Sequence, residues 1–225
     1  MLSALIFDFD GIIVDTEPLH YRAFQKILEP IGLGYSWEEY VERYMGFDDR
    51  DAFHEAYTAG GRVIGHGELE ELISRKAAAF QEIIADGVTP YPGVVELICS
   101  AAGTLPLGLC SGALACDIEP ILGMLGISGV FDVMVTAEQV TASKPDPASY
   151  SLAVELLRMK FSGLNIRPDN CLAVEDTPAG IASANGAGVR VLAVTNSYPA
   201  PNLERAICVL DSLAGVSLET LHKLF

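Results

Sequence analysis

The chain has 225 residues, enough for one large domain or a domain with a smaller companion, and its 14 basic against 30 acidic side chains give a formal charge of −16. That charge argues against nucleic acid or an anionic membrane surface as a partner, since both would be repelled at long range. No apolar run reaches the roughly 18 residues a membrane helix needs: the most apolar stretch, 105–116, is shorter and holds two glycines. Residues 1–7 lack a basic leader and run directly into Asp8, so no signal peptide is expected and a cytoplasmic location is.

Residues 3–7 form a brief apolar run that stops at charge and glycine, which predicts a short buried strand. Asp8 and Asp10 follow. Two apart on an extended chain, they face one volume and repel each other unless a cation or a shared proton intervenes. Gly11 permits a sharp turn or a close approach to a ligand, and Asp15-Thr16 can cap the helix that comes next.

Leu19, Ala23, Phe24, Ile27 and Leu28 recur at helical spacing until Pro30 and Gly32. Ser36 with Glu39 has the form of a capping box opening a helix through Tyr44, closed by Gly46. A third helix is expected over 49–59 and, after Gly60-Gly61 and Gly65, a fourth over 68–86. Four helices between the first strand and the next read as an inserted cap, residues 17–87, with links near Thr16 and Gly87.

From Pro90 the pattern alternates. Helices are expected over 94–102, 115–125, 147–160 and 178–186. Strands are expected over 106–110, 130–136, 171–174, 189–194 and 206–210. Asp146 is expected to cap the 147–160 helix with Pro147 at its first position, and Thr177 the 178–186 helix. The expected fold class is therefore α/β: residues 1–16 and 88–225 form a Rossmann-like, three-layer core around a parallel sheet, carrying the all-helical cap. The five cysteines are odd in number, contain no Cys-x-x-Cys pair and have apolar neighbours, which predicts buried thiols rather than disulfides or a zinc site.

Ligands of such sheets sit at the carboxyl ends of the strands. Strand one ends in Asp8 and Asp10. The strand at 106–110 delivers Ser111-Gly112-Ala113, a hydroxyl and backbone N–H groups in a glycine turn suited to phosphate oxygens. Ser143-Lys144-Pro145-Asp146-Pro147 follows the next strand, and Glu175-Asp176-Thr177 the one after. Singly, these are an acidic turn, a glycine turn, a surface lysine and a helix start. Together they place Asp8, Glu175, Asp176 and a bound phosphate dianion in one crevice, where like charges cannot all stay ionised without compensation. Mg²⁺ with Lys144 offsets most of that charge, and magnesium takes carboxylate, phosphate and water oxygens; zinc would want His or Cys, absent from these strand ends.

The stretch Asp8-Phe9-Asp10-Gly11, continued by Asp15-Thr16-Glu17, resembles the nucleophile motif of the haloacid dehalogenase superfamily, particularly its phosphatases and phosphomutases. Ser111, Lys144 and the acidic pair before Thr177-Pro178-Ala179-Gly180-Ile181 are similar to its other three signatures, in the same chain order. The resemblance implies that Asp8 attacks phosphorus to form an aspartyl-phosphate, and that Asp10 protonates the leaving oxygen and later deprotonates water or an acceptor alcohol. It implies further that Ser111, Gly112 and Lys144 hold the phosphoryl oxygens, and that Asp8, Asp10, Glu175 and Asp176 serve a Mg²⁺ ion. His20, Arg50 and Lys76 match cap residues that touch substrate in sugar-phosphate mutases, although Arg50 stands one place later than in that pattern. Gly112-Ala113-Leu114 lacks the polar residues such mutases carry. The expected function is a phosphatase for small sugar phosphates, a monomer acting on a small phosphorylated metabolite, with a β-phosphoglucomutase-like phosphohexomutase as the alternative. Dehalogenation needs neither the metal nor Asp10, and a non-enzymatic binding module would not need the complete set.

Overall fold

The computed structural model describes residues 1–85 and 87–225. β1 (Ala4–Phe7) is buried along its whole length. The chain then leaves the sheet for an insert of helices: α1 (Glu17–Leu28), the single turn α2 (Trp37–Glu39), α3 (Asp49–Ala59) and α4 (His66–Ile84). It returns through α5 (Val94–Ala101), β2 (Leu107–Cys110), α6 (Ala115–Met124), β3 (Val133–Val135), α7 (Ala148–Lys160), β4 (Cys171–Glu175), α8 (Pro178–Gly186), β5 (Arg190–Val194), β6 (Cys208–Leu210) and α9 (Leu218–His222).

The strands form one parallel sheet in the order β3-β2-β1-β4-β5-β6. Chain order reverses at β1, so the crevice beside its carboxyl end is where a doubly wound sheet binds ligands. Alternation along the strands gives each face its own core. Leu5, Phe7, Leu109 and Val174 pack with α5, α6 and the insert helices, while Ala4, Ile6, Cys110 and Ala173 pack with α7 and α8. Each large apolar side chain so buried contributes about 1.5–3 kcal/mol.

The edges are where the expected elements shorten. β3 covers three residues of the expected 130–136 and β6 three of 206–210, because each has a ladder partner on one side only. α7 starts at Ala148, with Pro147 in the cap position; the amide of Ala148 donates to Asp146 Oδ1 at 2.9 Å. In the insert, Ser36 accepts from the amide of Glu39 at 3.2 Å, but α2 then widens into a π-type turn over Tyr40–Tyr44. α4 begins at His66, and residue 86, the last of the expected 68–86 helix, lies outside the described residues. Cys110 and Cys171 are buried as expected, whereas Cys99 and Cys116 are exposed on helix surfaces despite apolar chain neighbours. Among the described residues no helix is long and apolar enough to cross a membrane.

Candidate active site

Strand register decides which side chains emerge together. Phe7 is abreast of Leu109 in β2 and Val174 in β4. The next residues along, Asp8, Cys110 and Glu175, therefore leave the sheet on one rim. Asp8, Glu175 and Asp176 are buried, and one carboxylate oxygen of each lies within 4.8 Å of the others. Lys144, from the loop after β3, donates to Asp8 Oδ1 and Glu175 Oε1, both at 2.7 Å, and to the carbonyl of Cys110 at 3.3 Å. Tyr150 of α7, fully buried, donates its hydroxyl to the same Glu175 oxygen at 2.7 Å.

Burial, reinforced by the charge of Glu175, pushes the Asp8 carboxyl well above its ordinary pKa against the pull of Lys144. Burial and the neighbouring Asp8 and Glu175 do the same to Asp176. For Lys144 burial acts downward, but Asp8 and Glu175 outweigh it and hold the ammonium above the usual lysine range. Three carboxylates share one lysine, so the cluster is short of positive charge.

Two glycines make the cluster possible. A Cβ on Gly11, whose φ is +78°, would sit 1.9 Å from Asp176 Oδ2, and a Cβ on Gly180 would sit 2.0 Å from Glu175 Oε2. Asn196 donates to the carbonyl of Gly11 at 2.6 Å, and Ser197 donates to Asp176 Oδ2. Asp176 Oδ1 is buried with no hydrogen-bond partner. Both oxygens of Glu175 are already engaged, Oε1 by Lys144 and Tyr150 and Oε2 by the amide of Asp176 at 3.2 Å. The donor set fits a magnesium ion: all oxygen, with an orphaned carboxylate oxygen and too little positive charge. Asp8 and Asp176 have oxygens free and would hold such an ion, with both Glu175 oxygens taken up by protein donors behind them.

Asp10 differs from the sequence expectation. Its carboxylate is outside this cluster; it accepts from the Thr16 hydroxyl and from Ser111 Oγ at 3.2 Å, with His20 Nε2 at 3.3 Å. The reason is that β1 has ended, and Asp10 lies in a turn paired with Val14 rather than in an extended strand continuing from Asp8. Thr16 for its part caps no helix amide. Burial would raise the pKa of Asp10, but the hydrogen bonds from His20 and Thr16 leave it below the usual carboxylate value.

His20 connects Asp10 to the insert. Its Nδ1 lies 2.8 Å from Lys76 Nζ, and its ring stacks on Phe80 with centroids 4.3 Å apart. A lysine ammonium only donates, so Nδ1 accepts and Nε2 carries the proton that points to Asp10. Lys76 is fully buried and also donates to Asp49 Oδ1 at 2.8 Å, with Asp117 Oδ2 at 3.6 Å. It therefore supports His20 and does not line the cavity between insert and strand ends. Arg50 also departs from its expected place. Its guanidinium donates to Asp48 Oδ2 at 3.0 Å and to the carbonyls of Ala137 and Val140 at 3.2 and 3.4 Å, tying the start of α3 to the segment after β3. Ser143 Oγ adds a 2.7 Å bond to Asp48 Oδ2. The cavity, partly open to solvent, measures about 70 Å³; Asp8, Asp10, His20, Gly112 and Lys144 are on its wall, with Glu17, Asp48 and Asp49 from the insert side. Tyr150 and Asp117 escaped sequence reasoning because no local motif marks them, whereas Ser143 stands in the lysine motif without being given a role there.

A parallel sheet whose first strand ends in paired aspartates, with a lysine and an acidic pair at neighbouring strand ends and helices inserted after the first strand, defines a haloacid dehalogenase-like hydrolase. Residues 5–194 match that family's model, and the chain belongs to it. Among curated relatives, the protein CbbY of Rhodobacter capsulatus is 33% identical over 206 residues, 88% of this chain and 87% of that one. The fructose-1-phosphate phosphatase YqaB of Escherichia coli is 28% identical over 187 residues, 83% of this chain and 93% of its own. Among solved structures, β-phosphoglucomutase from Clostridium difficile superposes with a TM-score of 0.87 at 25% identity, covering 100% of this chain and 97% of that one.

Proposed function

We propose that the protein is a magnesium-dependent phosphatase of small sugar phosphates acting through an aspartyl-phosphate on Asp8. The observation that carries this reading is the Asp8–Lys144–Glu175 cluster at the mouth of β1, with Asp10 set beside it on three separate donors. An Asp8 oxygen attacks phosphorus as the bond to the leaving oxygen breaks, and that oxygen takes the proton of Asp10. Asp10, now a carboxylate, then takes a proton from water, whose oxygen attacks phosphorus and frees Asp8 with release of inorganic phosphate.

The hydrogen bonds from Thr16 and His20 favour the carboxylate of Asp10 needed in the second step. A phosphate dianion brought against it opposes that charge and favours the protonated form needed in the first. Lys144 and the Ser111-Gly112 turn orient the equatorial oxygens. A magnesium ion held by Asp8 and Asp176 would supply positive charge to those oxygens.

Hydrolysis is favoured over mutase chemistry by Arg50: a mutase must hold a second phosphate, and this guanidinium is occupied by Asp48 and two core carbonyls. The fructose-1-phosphate phosphatase relative is consistent with that choice. The full-length likeness to β-phosphoglucomutase and the Asp10–His20–Lys76 chain support the mutase alternative. Incubation with β-glucose 1-phosphate and a trace of glucose 1,6-bisphosphate separates them. Free phosphate outpacing glucose 6-phosphate supports the phosphatase; the reverse replaces it with the mutase.

A further inference from the structure

The acidic rim is supported from a strand that supplies none of its acids. β5 pairs with β4 so that Ala193 is abreast of Glu175, and the residues just beyond Val194 therefore emerge beside Asp176. The chain turns there, and the turn is fixed at its root. The amide of Thr195 donates to the carbonyl of Leu210 at 2.9 Å, and its hydroxyl donates to Asp211 Oδ1 at 3.3 Å. The next two residues reach back across the rim: Asn196 Nδ2 donates to the carbonyl of Gly11 at 2.6 Å, and Ser197 Oγ donates to Asp176 Oδ2.

Both bonds confine the same oxygen. Gly11, held by Asn196, lies so near Asp176 Oδ2 that a Cβ there would sit 1.9 Å from it, and the Ser197 hydroxyl engages that oxygen directly. The carboxylate cannot swing without losing the Ser197 bond or meeting the Gly11 backbone. Asp176 is left with one uncommitted oxygen, Oδ1, which no protein donor reaches. Magnesium and calcium differ on this point. Magnesium is small and demands a near-octahedral set of single oxygens, whereas calcium takes about six to eight oxygens in flexible geometry and accepts both oxygens of one carboxylate.

We infer that Ser197 sets the choice of cation at this site: by occupying Oδ2 it restricts Asp176 to giving one oxygen, which favours Mg²⁺ over Ca²⁺, while Asn196 fixes the backbone on which that restriction depends. This rests on the magnesium reading above and goes on to say what selects the ion. Ser197 is not on the cavity wall; it is a positioning residue that acts through Asp176.

Thermal-shift titrations of the metal-free full chain, with MgCl₂ and separately with CaCl₂, give a Kd for each ion from the concentration dependence of the upshift. In Ser197→Ala the Kd for Mg²⁺ should rise about tenfold, the lower end of what loss of a residue behind a metal ligand costs. The Kd for Ca²⁺ should stay within about threefold of wild type, because calcium can use the freed Oδ2. Ser197→Thr keeps the hydroxyl and should retain the wild-type ratio of the two constants. If both constants rise by the same factor in Ser197→Ala, the residue is a structural prop without selectivity and the inference is overturned; an unchanged Mg²⁺ constant overturns it as well. In either case Mg²⁺ binding by the wild type leaves the magnesium reading standing, whereas no upshift of the wild type with Mg²⁺ overturns both. Should Ser197→Ala fail to fold, Ser197→Cys, similar in size and a much weaker donor, replaces it with the same expectations.

Discussion

Removing one oxygen atom from Tyr150 isolates the support beneath the acidic cluster. The side chain is fully buried in the apolar layer of α7, and its hydroxyl donates to Glu175 Oε1 at 2.7 Å. Tyr150→Phe keeps the ring, its packing and its position 5.2 Å from the Lys144 ammonium. A hydrogen bond to a charged group contributes about 1.5–3 kcal/mol. Because Lys144 still donates to the same oxygen at 2.7 Å, Glu175 is not orphaned, and the lower end, about 1.5 kcal/mol, is expected. With a urea m-value of about 2.5 kcal/mol/M, the unfolding midpoint should fall by about 0.6 M at unchanged slope. Equilibrium urea denaturation followed by far-UV circular dichroism, metal-free at neutral pH, measures it. A midpoint within about 0.2 M of wild type, less than 0.5 kcal/mol on that slope, would refute the argument that this hydroxyl stabilises a charged Glu175.

Asp8→Asn should abolish phosphate release and protein-bound phosphate label without lowering the metal-free melting temperature, since it removes a carboxylate whose charge burial and Glu175 already oppose; label persisting in the variant would end the covalent mechanism. Saturating Mg²⁺, at about 100 times its Kd, should stabilise the wild type by about 2.7 kcal/mol, read as a thermal upshift, and should stabilise Asp176→Ala by less than half of that. Gly180→Ala should cost about 3 kcal/mol in denaturant unfolding and most of the activity, because the new methyl meets the Glu175 carboxylate at 2.0 Å; a variant of wild-type stability contradicts the packing described. Arg50→Ala should cost about 1–3 kcal/mol in denaturant unfolding, because it leaves the buried Asp48 carboxylate without its charged partner, and should speed limited proteolysis of the insert by freeing the Ala137 and Val140 carbonyls; unchanged stability and cleavage argue against the tie.

What the sequence disclosed was whatever is written locally. The apolar run of β1, the helical spacing of α1 and the alternation after Pro90 are short-range patterns, and each element formed where its pattern lies. Parallel strands then carry Asp8, Ser111, Lys144 and Glu175 to one rim, because such sheets present all their carboxyl ends together. Side-chain direction was not legible. Arg50 carries the same charge whether it faces a cavity or a pair of carbonyl oxygens, and the choice is made by residues 87 and 90 positions further along the chain. Asp10 turned towards Thr16 and His20 because β1 stops at Phe7, and strand ends are the least certain part of any pattern. Tyr150 and Asp117 lie inside helices whose periodicity explains them as core or surface, so only the fold shows that one braces Glu175 and the other lies near Lys76.

The two glycines at the acidic pair constrain how this sequence can drift. The space a side chain would need at position 11 is filled by the Asp176 carboxylate, and at position 180 by that of Glu175. Positions 11 and 176, and likewise 175 and 180, are therefore inherited as couples: neither member can gain an atom unless the other retreats. A descendant with alanine at 180 must have shortened or displaced the acid at 175, and one with any side chain at 11 must have moved the carboxylate that carries the orphaned oxygen. Those four letters alone would report whether a new member's crevice still has room for its own acids.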